Sequence, residues 1–172
     1  MDFGTCYSAA FGSSGKFQEP QHVCWESSVF FALPQSNNKE NIDAFTFEKY
    51  AEEIRNLPND FNGTLKYFCD KSHMPLEEIA HRAGMSDRNL RRIISDKEHQ
   101  PKLESVVAIC NALHLFPLFS NSLILKAGYT LRDNNRGIAY QMLLNMFYMN
   151  DIETCDMVLK SMGLSPLAKE DY

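Results

Sequence analysis

Three arginines stand at helical spacing near the middle of the chain, and their chemistry is that of anion recognition. Arg88, Arg91 and Arg92 are followed by Ser95, so that the four residues recur at i, i+3, i+4 and i+7. That spacing places them on one face of a helix. A guanidinium group is planar, permanently charged and rich in hydrogen-bond donors, which suits it to phosphate oxygens and guanine edges. The pattern therefore predicts a positively charged helix face directed at solvent.

The charge around these arginines also favours an anionic partner, although the whole chain of 172 residues has a net charge of −5. Residues 1–61 hold four basic and nine acidic side chains, whereas residues 81–102 hold six basic and three acidic ones. A local excess of +3 in an acidic protein indicates a surface for a negatively charged partner. Within this window, Lys97 and Lys102 suit phosphate contacts.

The arginines are expected to lie on a helix over residues 87–95. Ser86 is a good N-cap for that helix, and an acidic residue in its first turn favours the helix dipole. The face opposite the arginines is apolar and should be buried. It consists of Leu90, Ile93 and Ile94.

A second helix, over residues 76–83, is expected to cross the first after a short turn. Two helices that cross steeply bring their backbones close together, and Ala80 supplies the small side chain for the crossing. Gly84 supplies a turn residue that tolerates a positive φ. The segment 76–95 therefore has the spacing of a helix-turn-helix.

Apolar residues at helical spacing predict six further helices, with caps, glycines and prolines at their ends. They cover residues 45–57, 65–72, 103–113, 120–127, 137–149 and 151–162. We therefore expect an all-α protein in four parts. These are an irregular acidic N-terminal arm over 1–44, a helix and linker over 45–61, a five-helix domain over 62–130, and a C-terminal helical extension over 131–172.

The helix over 137–149 has too few polar positions for a free surface helix. It either packs as core against the preceding helix, around Leu123, Ile124 and Leu125, or forms an interface, where methionine and aromatic side chains are favoured. We expect it to be mostly core, with part of its surface left for a homodimer.

The thiols and imidazoles do not form a recognisable metal site. The five cysteines are odd in number, widely spaced and without a CxxC pair, which is typical of a reduced, cytoplasmic protein with incidental thiols. The histidines do not form an HExxH motif, and no Cys/His pair has ligand spacing. We expect neither a metal nor a cofactor.

Enzyme motifs and membrane segments are also missing from the sequence. There is no phosphate-binding loop, nucleophile elbow or plausible carboxylate pair, so no catalytic residue is expected and the protein is predicted not to be an enzyme. No apolar stretch approaches the roughly 18 residues of a membrane span. The first residues are not expected to form a secretory signal.

With these motifs described, residues 65–115 resemble the lambda-repressor-like, xenobiotic-response-element family of helix-turn-helix domains. The likeness covers about a third of the chain. Residues 118–166 resemble the helical extension that some such regulators of mobile elements carry. The motifs of the likeness are Leu65 with Phe68, Leu76-Glu-Glu-Ile-Ala80, Gly84-Met-Ser86, Leu90 with Ile93, and Pro101-x-Leu103-Glu104-x-Val106-Val107 followed by Cys110-x-Ala112-Leu113.

The resemblance implies that the helix over 87–95 lies in the major groove of double-stranded DNA and that the domain acts as a homodimer on palindromic sites. The expected function is sequence-specific DNA binding by a transcriptional regulator of a phage- or mobile-element-type operon. The alternative is a protein-interaction module that kept the fold and lost DNA binding, and Leu76, where the family often has a DNA-bonding glutamine, favours it. The DNA-facing side chains carried over are Ser86, Arg88, Asn89, Arg91 and Arg92.

Overall fold

The computed structural model describes residues 44–168, and within that range the chain forms eight α-helices and no strand. The all-α expectation is therefore confirmed for this part of the chain. The predicted arm over 1–44 lies outside it, except for Ala44, where the first helix begins. The helices are α1 (Ala44–Asn56), α2 (Phe61–Ser72), α3 (Leu76–Arg82), α4 (Asp87–Ser95), α5 (Leu103–Ala112), α6 (Pro117–Lys126), α7 (Asn135–Met146) and α8 (Ile152–Ser161).

Short polar side chains begin four of these helices. Each accepts a hydrogen bond from the backbone N–H three residues further on, which satisfies a donor that the helix itself cannot. Gly128 ends α6 with a φ of +80°, as expected of a glycine after a helix. The four N-caps are Asp60, Ser86, Asn134 and Asp151, with distances of 3.1, 3.4, 2.8 and 2.8 Å.

Three of the predicted helices have an end that differs from the structure by three or four residues. The helix expected over 65–72 begins at Phe61. The helix expected over 120–127 begins at Pro117 instead. The fixed φ of proline suits the first position of a helix, where a backbone N–H would have no partner within the helix. The helix expected over 137–149 begins earlier, after the Asn134 cap, and ends at Met146.

Helix α5 lies at the centre of the fold. Residues 106–112 are all buried, because α3, α6, α7 and α8 pack around this helix. Among them is Asn111, whose side-chain amide donates to Cys155 Sγ at 2.9 Å and to the Phe147 carbonyl at 3.4 Å. Helix α5 is therefore held by the C-terminal helices as well as by those that precede it.

Helices α7 and α8 share one core with the rest of the described chain. A single cluster of buried apolar side chains extends from Leu57 to Leu167. The inner face of α7 contributes Tyr140 and Leu143 to this cluster, and α7 packs against α5 and α6. The inner face of α7 is therefore core, as expected, whereas Leu125, expected to be part of the packing surface, is 63% exposed.

The cysteines of the described region belong to this core. Cys69, Cys110 and Cys155 are free and buried. Burial raises the pKa of their thiols to about 12, about 12 and about 11 respectively. The thiols therefore stay protonated near neutral pH and act as small apolar side chains. Cys6 and Cys24 lie outside the described residues.

Candidate nucleic-acid interface

The turn between α3 and α4 brings the two helices together as the sequence predicts. Ala80 is almost completely buried, and Gly84 has a φ of +59°. The Gly84 N–H donates to the His81 carbonyl at 3.0 Å, and the Met85 N–H donates to the Ala80 carbonyl at 3.0 Å. These bonds close the end of α3 before the chain turns into α4, so the start of α4 has a defined position.

The inner face of α4 is packed against α2 and α3. Leu90 is 0% exposed and Ile93 is 1% exposed, as predicted, whereas Ile94, also predicted to be buried, is only half-buried. The side chain of Ser86 caps the N-terminus of the helix by accepting from the Asn89 N–H. The burial fixes which face of α4 is directed at solvent.

Asn62, on α2, holds the other end of α4. Its side-chain amide donates to the carbonyls of Ile93 at 2.8 Å, Ile94 at 3.3 Å and Asp96 at 3.2 Å. The last carbonyls of a helix have no partner within the helix, so this amide satisfies them from outside. Sequence reasoning did not identify Asn62, because no local pattern connects an asparagine to carbonyls about thirty residues later.

All three predicted arginines lie on the solvent face of α4. Arg88, Arg91 and Arg92 are exposed, as is Ser95. Arg92 Nη2 lies 3.3 Å from His99 Nε2; a guanidinium group can only donate, so Nε2 accepts. Within the described part of the chain, Arg88 forms no ion pair.

Arg91 differs from the other two because two carboxylates hold it. Its Nε donates to Asp87 Oδ2 at 2.7 Å, and its Nη2 donates to Glu77 Oε1 at 3.1 Å. The hydrogen bond to Asp87, together with the two negative charges, raises the pKa of Arg91 above its ordinary value. The charge of Arg91 is thus largely balanced within the protein, and the positive face is interrupted at this position.

The loop after α4 carries the two predicted lysines. Lys97 and Lys102 are exposed, and neither forms an ion pair with a described residue. The carboxylate of Asp96 is turned into the loop, where Oδ1 accepts from the N–H groups of Glu98 at 3.0 Å and His99 at 3.2 Å. Asp96 therefore does not pair with either lysine.

Asn89 is the predicted DNA-facing residue that the structure places least favourably. It is half-buried, and its side-chain amide lies 4.0 Å from Met85 Sδ. Four of the predicted basic side chains are exposed and form no ion pair with a described residue: Arg88 and Arg92 on α4, and Lys97 and Lys102 after it. We call these four residues the cationic face.

Comparison with known proteins does not place the chain in a family. No protein-family model, curated protein or solved structure matches it. Between residues 44 and 168, no helix is long and apolar enough to cross a membrane, and no three His, Cys, Asp or Glu side chains are grouped so that they could hold a metal ion.

Proposed function

We propose that this protein binds double-stranded DNA in a sequence-specific manner, with α3 and α4 acting as a helix-turn-helix of the lambda-repressor-like kind. The observation that carries the proposal is the division of α4 into two faces. Leu90 and Ile93 are buried on one face of the helix, whereas Arg88 and Arg92 are exposed on the other face and make it cationic. A helix with this division can enter a major groove without exposing its core.

The cationic face supplies the contacts that such binding requires. Arg88 is free to reach a base edge, where arginine pairs with the guanine O6 and N7 atoms. Lys97 and Lys102 lie beyond the C-terminal end of α4, in the loop that leads to α5, and would contact phosphates. The proposed role is that of a transcriptional regulator of a phage- or mobile-element-type operon.

The test is a selection from random duplex DNA with the full chain, followed by titration of the selected duplex at several salt concentrations. With about four phosphates neutralised per protomer, log K should fall with log salt at a slope of about −3 to −4 for each protomer bound, or about −7 for a homodimer. A flat salt response, or no duplex recovered, would contradict DNA binding by this face.

Arg88 and Glu77 should have opposite effects on that binding. Arg88→Ala should weaken binding of the selected duplex by roughly 1–3 kcal/mol if the arginine reads a base. Glu77→Gln should strengthen binding on the order of two- to tenfold at low salt, because it removes a negative charge beside Arg91. Both should be measured by titration, with Glu48→Gln, an exposed change on α1, as the matched control. Unchanged binding in both variants would show that α4 does not read DNA.

A second candidate function rests on the ion pairs of Arg91. Glu77 on α3 and Asp87 on α4 both form ion pairs with this guanidinium. Two carboxylates at this position would repel DNA phosphates, whereas a protein-interaction module on the same fold could keep them. Under this alternative Glu77→Gln leaves DNA binding undetectable, as in the wild-type protein.

We also propose that the protein acts as a homodimer through the outer face of α7. Ile138, Met142 and Met146 recur on α7 at i, i+4 and i+8, and Ile138 and Met146 are exposed. Residues 137–150 contain no charged side chain. An apolar stripe without charges can pair with its own copy about a two-fold axis without like-charge repulsion. Helix α4 packs on α2 and α3, so it is not part of this proposed dimer surface.

Sedimentation of two matched variants tests the dimer. Met146 on α7 is 67% exposed and Met157 on α8 is 64% exposed, so that a glutamate at either position costs little folding stability. Met146→Glu should convert the dimer to a monomer, because it places a charge in the stripe, and Met157→Glu should leave the dimer intact. A wild-type protein that sediments as a monomer at the concentrations that bind DNA would contradict the proposal.

A further inference from the structure

The carboxylate of Asp156, on α8, folds the C-terminal segment back onto the protein. Asp156 is 8% exposed. Its Oδ1 accepts from the Leu167 N–H at 2.6 Å, and its Oδ2 accepts from the Ala168 N–H at 3.3 Å. A carboxylate removed from water requires such donors, so each oxygen is matched with one backbone amide. Leu167 is buried beside them.

This arrangement presses Ala168 against the turn between α3 and α4. A Cβ atom added to Gly84 would lie 2.6 Å from Ala168 Cβ and 2.9 Å from Ala168 Cα. It would also lie 3.7 Å from Ile152 Cγ1, at the start of α8. The turn that orients α4 is thus in direct contact with a segment more than eighty residues later in the chain.

We propose that Asp156 is a positioning residue that seats the C-terminal segment on the α3–α4 turn and thereby restrains α4. We call Asp156, Leu167 and Ala168 the C-terminal clamp. Release of the clamp frees one side of Gly84, so the turn opens more often and α4 is presented to its partner in a less defined orientation. The effect on DNA affinity rests on the proposed function, whereas the effect on the turn does not.

Hydrogen exchange of the full chain tests the effect on the turn. In Asp156→Ala, the amides of Gly84 and Met85 should exchange at least about tenfold faster, since a hydrogen bond to a charged group contributes about that factor or more. Amides of α6, such as Leu123, should keep their wild-type rates. Unchanged exchange at the turn, or equal acceleration throughout the chain, would overturn the proposal.

The conservative variant separates positioning from general loss of structure. In Asp156→Asn, the amide oxygen can still accept from the Leu167 N–H, but the NH2 group faces the Ala168 N–H and cannot accept from it. The exchange rate of the Gly84 amide should therefore lie between the wild-type and Asp156→Ala rates. If Asp156→Ala does not fold, faster exchange at Gly84 in Asp156→Asn alone tests whether Asp156 restrains the turn. Glu153→Gln, an exposed change on the same helix, should leave the turn unchanged.

Titration of the selected duplex tests the consequence for α4. Asp156→Ala should weaken binding several-fold, because the population with α4 in its binding orientation falls, whereas Glu153→Gln should bind as wild type does. If Asp156→Ala and the wild-type protein bind the duplex with equal affinity, the claim that the C-terminal clamp restrains α4 is wrong. If the wild-type protein binds no duplex, the proposed function fails, and the exchange experiment alone decides whether the clamp holds the turn.

Discussion

Leu90→Ala is expected to lower the free energy of unfolding by about 2–5 kcal/mol, the range for a leucine removed from a packed core. Leu90 is completely buried on the inner face of α4, where this helix meets α2 and α3. The truncation leaves a cavity that the neighbouring helices cannot fill without moving, and DNA binding should fail only as far as α4 unfolds. Urea denaturation measured by circular dichroism gives the loss.

Arg88→Ala is the matched control for Leu90→Ala, because it lies on the opposite face of the same helix. Arg88 is exposed, and exposed substitutions usually change stability by no more than about 0.5 kcal/mol. If the two variants unfold at the same urea concentration, the inner face of α4 does not support the fold.

Among the described glycines that have a positive φ, which are Gly84, Gly128 and Gly163, Gly84 should be the most harmful to replace by alanine, with a loss of about 2–5 kcal/mol. The left-handed conformation, with a φ of +59°, costs an alanine about 1–2 kcal/mol. The added Cβ must also displace Ala168, which lies less than 3 Å away, and such overpacking costs about 1–3 kcal/mol more. Thermal and urea denaturation should both show the loss.

Gly163→Ala isolates the first of these two costs. Gly163 has a similar φ of +71°, but a Cβ added there meets nothing within 4 Å in the described structure. Its substitution should therefore cost only the conformational part, about 1–2 kcal/mol. Equal losses at Gly84 and Gly163 would show that Ala168 does not restrict the turn.

Features that depend on neighbouring residues could be predicted from the sequence. The cap of Ser86, the positive φ of Gly84 and the burial of Leu90 each arise within a few residues of chain, because a helix repeats its faces and ends by local rules. The same rules gave the eight helices to within a few residues at each end. The start of α6 at Pro117 differs from the expected residue 120, because the apolar spacing does not mark the first turn of a helix that a proline begins.

Contacts between distant residues could not be predicted in the same way. Asn62 reaches the end of α4, Glu77 reaches Arg91, and Asp156 seats the segment that touches Gly84. Each contact depends on how whole helices pack against one another, and the spacing of residues along the sequence does not predict that packing. The i, i+4 pair of Asp87 and Arg91 is the exception, since its spacing alone indicates an ion pair, and it would have shown that Arg91 is not free.

The central position of α5 has a consequence for the order in which the protein can be made. A ribosome releases α5 before α7 and α8, so the side of α5 that these later helices cover faces water while they are still being synthesised. Asn111 has its partner at Cys155 only once α8 has emerged. Nascent chains that end before α8 thus expose apolar surface, which attracts chaperones and promotes aggregation. We expect the native fold to form only after nearly the whole described chain has left the ribosome.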